Sequence, residues 1–212
     1  VDVGAGIEST RKAVELSRKN DFMYASAGIH PGDIGKMNEE HIDWLRELSK
    51  EEKVVAIGEI GLDYHYDEPS RELQKKWFIR QLELAEETKL PIIIHSRDAA
   101  KDTLEIIQAR NLQKQGGVIH CFSYTKEIAQ AYLDMGFYLG IGGVVTFPNA
   151  KKLKEVVRMA PLERLVLETD APYLAPAPNR GRRNTSLNLI YVAEEIASLK
   201  GITHEEVIRV TE

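Results

Sequence analysis

The chain has 212 residues, 43% hydrophobic and 29% charged, with a formal net charge of −5. This is the balance of a globular protein with a sizeable core, and the length suits one α/β domain spanning residues 1–212. The acidic excess excludes bulk attraction to nucleic acid or membrane, so a polyanion would have to be met by a local basic site.

One cysteine, Cys121, rules out a disulfide framework and suits a reducing cytoplasm. No apolar run approaches the roughly 20 residues that span a bilayer. Short apolar runs then alternate with amphipathic segments. The spacing predicts strands over Val1–Gly4, Met23–His30, Val54–Glu59, Pro91–His95, Gly117–His120, Phe137–Gly140 and Leu165–Thr169. Helical patterns lie between them, over Ser9–Lys19, Asn38–Lys50, Ser70–Lys89, Ala99–Lys114, Thr125–Met135 and Ala150–Met159. A Pro-rich loop from Ala171 to Asn184 precedes a helix from about Ser186 to Lys200, and Thr203 with Glu206 makes a capping box for one more. Continuous apolar strands, each followed by a helix, predict a parallel sheet covered by helices. The segment Gly140–Pro148 lacks the ending of a P-loop and is expected to be a tight turn.

The candidate chemistry sits at strand ends: His30, Glu59, His95, His120 and Asp170. A doubly wound sheet would gather its site at one switch point, whereas ligands on five strands converge only if the sheet closes. The expected fold class is therefore α/β, a TIM (β/α)8 barrel, with seven strands counted and the first strand and helix apparently missing. Glu59 lies between Gly58 and Gly61 at the end of an apolar run, where an unpaired carboxylate would be very costly. Imidazole plus carboxylate is a ligand set for divalent Zn, Mn, Co or Mg, and two of each can span a metal pair that activates water. Each of these residues alone would more often be a hydrogen-bonded structural group. Their recurrence on separate strands is what points to a metal site.

The order of Gly28-Ile-His-Pro31, Gly58-Glu-Ile-Gly-Leu-Asp-Tyr64, Ile94-His-Ser-Arg-Asp-Ala99, Ile119-His-Cys-Phe-Ser123, Gly136-Phe-Tyr138 and Leu167-Glu-Thr-Asp-Ala-Pro-Tyr-Leu-Ala-Pro176 resembles the TatD-like metal-dependent deoxyribonucleases, a branch of the amidohydrolase-type barrels. The resemblance implies two divalent ions, with Glu59 bridging them, His95 and His120 ligating one ion, and Asp170 binding metal and water. It also implies phosphodiester cleavage, with DNA as single strands or 3′ ends as the substrate. The family opens with a His-x-His pair that this chain does not show, so an N-terminal βα unit is expected to be missing and the last helix cut short.

Asp170 is the expected general base, with N-capping of the following turn as the structural alternative. His30 could contact a substrate phosphate or be a structural hydrogen-bonding group. Arg97 and Asp98 could serve substrate and outer shell, or pair with each other on the surface. His65 and Asp63, placed in a loop after Glu59, could also reach the site, whereas His41 and His204 are expected to be solvated. Arg180 and Arg182 in Asn179-Arg-Gly-Arg-Arg-Asn184 could form a phosphate clamp or a solvated basic loop. Tyr64, Tyr66, Phe122, Tyr124, Phe147 and Tyr173 could stack on bases, although most such rings only pack. The expected function is a divalent-metal-dependent hydrolase, a deoxyribonuclease using metal-activated water. The alternatives are an amidohydrolase-type hydrolase of small esters or amides, and a catalytically impaired binding protein. No membrane partner is expected, and the oligomeric state is open, monomer included.

Overall fold

The computed structural model describes residues 1–110, 112 and 115–212, and the chain divides into two compact units, Val1–Gly117 and Val118–Glu212. In the first, β1 (Asp2–Val3), β2 (Ala25–Ala27), β3 (Val54–Asp63) and β4 (Ile92–Arg97) are hydrogen-bonded in that order and run parallel. They alternate with α1 (Ile7–Lys19), α2 (Glu39–Leu48), α3 (Arg71–Thr88) and α4 (Ala100–Arg110). In the second, β5 (Gly117–Ile119), β6 (Tyr138–Ile141) and β7 (Leu165–Leu167) are parallel as well. Here the helices are α5 (Lys126–Asp134), α6 (Lys151–Met159), α7 (Leu189–Lys200) and α8 (His204–Thr211). The expected βα repeat is therefore present in both units.

Local chemistry sets the helix limits. The side chain of Asn38 accepts from the backbone N–H of His41 at the start of α2, and that of Ser70 accepts from Leu73 N–H at the start of α3. Lys89 ends α3 at φ 60°, two residues before Pro91. Gly201 ends α7 at φ 68°, and the Thr203 hydroxyl, accepting from Glu206 N–H, opens α8. The last residues of the expected helix Ala99–Lys114 include positions 111, 113 and 114, which lie outside the described residues. Gly143–Thr146 forms the expected tight turn as a single 3-10 turn.

Two strands differ from expectation in ways that matter for the site. β3 does not stop at Glu59 but continues to Asp63, pairing Gly61 with His95 and Asp63 with Arg97. A Cβ at Gly61, where φ is +149°, would lie 1.9 Å from the His95 carbonyl oxygen, so only glycine lets the two backbones come this close. Asp63 thus belongs to a strand rather than a loop. β2 ends early, at Ala27, because the next backbone groups find a side-chain partner instead of a strand. Gln81 of α3 accepts from Ile29 N–H at 2.8 Å and donates to Ile29 C=O at 3.0 Å.

Strand and helix faces bury the cores of each unit, with Ile57, Ile60, Leu82 and Ile94 fully covered in the first and Tyr132, Leu139, Ile141 and Val156 in the second. Each of the aliphatic side chains among these contributes roughly 1.5–3 kcal/mol by leaving water. No helix among the described residues is long and apolar enough to cross a membrane.

Candidate metal-binding clusters

In the first unit, Glu59 and Asp63 lie on β3 on either side of Gly61, which pairs with His95 of β4. The His95 side chain stands between the two acids. Its Nδ1 is 2.8 Å from Glu59 Oε1 and its Nε2 is 3.2 Å from Asp63 Oδ2. The three side chains are only 9–18% exposed. Burial pulls the His95 imidazole down, but the hydrogen bonds and charges of Asp63 and Glu59 outweigh it and hold the ring above its ordinary value. Burial pushes Asp63 up, yet the His95 and His65 hydrogen bonds and the nearby positive charges leave its carboxyl lowered. In the metal-free chain a proton on His95 therefore stands between two carboxylates, the place a cation would take.

His30 lies against this pair, its ring 4.2 Å from that of His95 and edge-on. One ligand atom from each of His30, Glu59 and His95 falls within 4.8 Å of the others, so imidazole and carboxylate groups of the kind that hold divalent ions are gathered here. Burial, and then the charge of His95, lower the His30 imidazole, which is therefore neutral. Its Nδ1 accepts from Gly32 N–H at 3.0 Å, and this places its proton on Nε2 as a donor.

Helix α3 supports the cluster from behind. Gln74 and Gln81, seven residues apart on one face, are each 1% exposed. Gln74 accepts from Asp63 N–H and donates to Asp63 C=O, both at 2.8 Å. Gln81 holds Ile29 in the same way, one residue before His30. Two side-chain amides thus complete the backbone hydrogen bonding at two strand ends.

In the second unit, His120 follows β5 and meets two acids that follow β7. Its Nδ1 is 2.6 Å from Glu168 Oε2 and its Nε2 is 3.3 Å from Asp170 Oδ1. Glu168 Oε1 also accepts from Cys121 N–H at 2.6 Å. A Cβ on Gly140 of β6 would lie 2.5 Å from Glu168 Oε2, so this glycine clears the space for the carboxylate. With Nδ1–H given to Glu168, the Nε2 that meets Asp170 in the metal-free chain could ligate a cation beside Asp170 once its proton is lost, the usual carboxylate–histidine–metal arrangement. Asp170 itself sits at φ 54°, a conformation that Asp tolerates better than most residues.

The sequence-predicted residues are thus distributed as two sets: Glu59, His95 and His30 in one unit, His120 and Asp170 in the other. Arg97 is exposed, with its guanidinium 5.7 Å from the Tyr66 ring, while Asp98 pairs with His65 at 3.3 Å, so of the two readings offered for these residues the mutual Arg97–Asp98 pair is replaced by these contacts. Arg180 and Arg182 are exposed, and the Arg180 guanidinium lies 4.3 Å over the Phe147 ring. Of the candidate stacking rings, Phe122 and Phe147 are buried, and the Tyr64 hydroxyl donates to Asp102 at 2.7 Å. Tyr66 and Tyr173 remain well exposed. Sequence reasoning assigned no role to Glu168, Gln74, Gln81 or Asn184. For Glu168 a signal existed, since it stands two residues before Asp170 at the end of an apolar run.

Comparison with known proteins now decides the family. The chain matches the family described as TatD related DNase over residues 1–212. It belongs to that family. It is 48% identical over 211 residues to an uncharacterized metal-dependent hydrolase, YabD, of Bacillus subtilis, covering 100% of this chain and 83% of the relative. It is 36% identical over 203 residues to the 3′-5′ ssDNA/RNA exonuclease TatD of Cronobacter sakazakii, covering 93% of this chain and 77% of that one. The crystal structure of YJJV, a TatD homologue from Escherichia coli, superposes with a TM-score of 0.93 at 30% identity, over 99% of this chain and 81% of that one. The fold class is accordingly the α/β TIM-barrel type of the TatD proteins, and this TatD-family chain is a metal-dependent hydrolase.

Proposed function

We propose that this chain is a nuclease that hydrolyses phosphodiester bonds of single-stranded DNA. The observation that carries the proposal is the repeated arrangement of a histidine with a carboxylate at each ring nitrogen, His95 between Glu59 and Asp63 and His120 between Glu168 and Asp170. The similarity to the 3′-5′ ssDNA/RNA exonuclease of Cronobacter sakazakii supports a single-stranded nucleic acid as substrate. In this reading Glu59, His95, His120 and Asp170 are the ligands of divalent cations, two in number. Bound there, such cations would acidify water and offset charge on a phosphoryl oxygen.

The remaining chemistry falls to the chain's own groups. Asp170 takes the proton of the attacking water as the water oxygen bonds to phosphorus; the ester P–O bond breaks, and the departing ester oxygen takes a proton from solvent. His30, neutral and with its proton on Nε2, donates to a phosphate oxygen rather than ligating. Arg97, Arg180 and Arg182 are exposed cations suited to neighbouring phosphates in an otherwise acidic chain.

The test is cleavage of a labelled single-stranded oligonucleotide by purified chain supplied with Mn²⁺. Glu59→Ala and Asp170→Ala should each abolish cleavage while circular dichroism stays unchanged, and excess chelator should silence the wild type. Cleavage surviving either substitution, or persisting in chelator, would refute the proposal.

A further inference from the structure

Asp170 occupies a left-handed backbone position in a short half-buried stretch after β7, where nothing in a strand ladder fixes it. Its neighbours are nevertheless held from outside. Asn184, fourteen residues further on in the arginine-bearing loop, is only 2% exposed. Its Nδ2 donates to Thr169 C=O at 2.6 Å, and its backbone N–H donates to Pro172 C=O at 2.9 Å. These two carbonyls flank Asp170 on either side. Inside that bracket, Ala171 N–H donates to Thr169 Oγ1 at 3.2 Å and Tyr173 N–H donates to Asp170 C=O at 2.8 Å.

The other end of Asn184 faces its own loop. Its Oδ1 accepts from Thr185 N–H at 2.9 Å and from Asn188 Nδ2 at 2.8 Å, and Asn179 Nδ2 donates in turn to Asn188 Oδ1 at 2.9 Å. Every polar atom of the Asn184 side chain is used, as burial requires. The network therefore ties the segment carrying Arg180 and Arg182 to the segment carrying Asp170 through one amide.

We propose that Asn184 is the positioning residue for the Asp170 carboxylate, setting its geometry toward a cation and joining it mechanically to the arginine loop. The inference builds on the metal-ligand role proposed above for Asp170. Positioning partners of ligands commonly influence metal affinity by about 10–100-fold, and that is the effect expected here.

Three variants of the full chain test it. Asn184→Ala removes the side-chain clamp. Asn184→Asp keeps the size and the Oδ acceptor but loses donation to Thr169. Asn179→Ala, in the same loop, removes only the bond to Asn188. Amide hydrogen exchange is measured on the metal-free protein, and Mn²⁺ affinity by titration, with Asp170→Asn as reference. Asn184→Ala should speed exchange at Ala171 and Tyr173 while β7 is unaffected, and should weaken Mn²⁺ binding about 10–100-fold. Asn184→Asp should move both readouts in the same direction, and Asn179→Ala neither. Should Asn184→Ala fail to fold, Asn184→Asp decides on the same two readouts. Unchanged exchange, unchanged Mn²⁺ affinity, or equal effects from Asn179→Ala would overturn the proposal. A wild type that binds no Mn²⁺ would overturn the ligand role of Asp170, and the exchange arm alone would then uphold or overturn the clamp.

Discussion

Glu168→Gln isolates what an outer carboxylate does for its histidine. Glu168 holds two hydrogen bonds of 2.6 Å, from His120 Nδ1 and from Cys121 N–H. Glutamine fills the same volume, and its oxygen can still accept from Cys121. Its amide nitrogen would then face Nδ1 as a donor, and the ring must answer by moving its proton to Nε2. In that tautomer Nε2 holds the ring proton and cannot ligate a cation beside Asp170. A hydrogen bond to a charged group is worth about 1.5–3 kcal/mol, which at roughly 1.4 kcal/mol per tenfold means about 10–100-fold in divalent cation affinity. The assay is Mn²⁺ titration followed by the EPR signal of free Mn²⁺, with a melting curve to confirm the fold. Wild-type affinity in a folded Glu168→Gln chain would refute the idea that this carboxylate sets the His120 tautomer.

Three further predictions rest on the same geometry. Gly61→Ala would force a Cβ to within 1.9 Å of the His95 carbonyl at φ +149° and should destabilise the chain by about 3 kcal/mol, measured by urea unfolding; a loss under about 1 kcal/mol would show that the strands can part there. In the metal-free chain, imidazole NMR should find His95 titrating above the usual value of roughly 6.5 and His30 below it. The raised His95 contributes stability that is fully present below about 6.5 and is lost as pH rises through its folded value. The lowered Asp63 contributes stability present above about 3.9 that is lost as pH falls through its folded value. Since a cation needs the neutral ring, Mn²⁺ affinity should climb with pH through the His95 midpoint, and a flat profile would contradict it. The double variant Arg180→Ala/Arg182→Ala should slow oligonucleotide cleavage about tenfold or more, reduce its salt dependence, and spare a small chromogenic phosphodiester; equal losses on both substrates would assign these arginines to the fold.

The parts of this protein that were legible in its sequence are those governed by local rules. Apolar runs bounded by Gly, Pro and polar residues marked the seven strands found among the described residues, and Glu59, His95, His120 and Asp170 stood out as polar groups ending such runs. The parts that were not legible depend on packing between distant segments. Gln74 and Gln81 read as ordinary helix residues, because nothing in a helical pattern shows that a side-chain amide will meet the backbone of Asp63 or Ile29. Asn184 read only as the last residue of an arginine-bearing loop, and its burial against Thr169 and Pro172 is what reveals another role. The continuation of β3 to Asp63 was hidden for a related reason. Glycines usually weaken a strand, and here Gly61 is what permits its closest pairing.

The two clusters solve the same electrostatic problem in the same way, and this explains why their glycines matter as much as their ligands. A partly buried carboxylate needs donors, and a partly buried imidazole with two carboxylates needs room for both. In the first unit the missing side chain at Gly61 lets β3 close on β4, which brings Asp63 to the Nε2 of His95 while Glu59 takes Nδ1. In the second, the missing side chain at Gly140 admits the Glu168 carboxylate to His120 Nδ1 and Cys121 N–H, leaving Nε2 for Asp170. Each glycine therefore acts by absence, fixing which ring nitrogen meets which carboxylate. It follows that Gly140→Ala should weaken cation binding in the same sense as Glu168→Gln, although residue 140 carries no ligand atom.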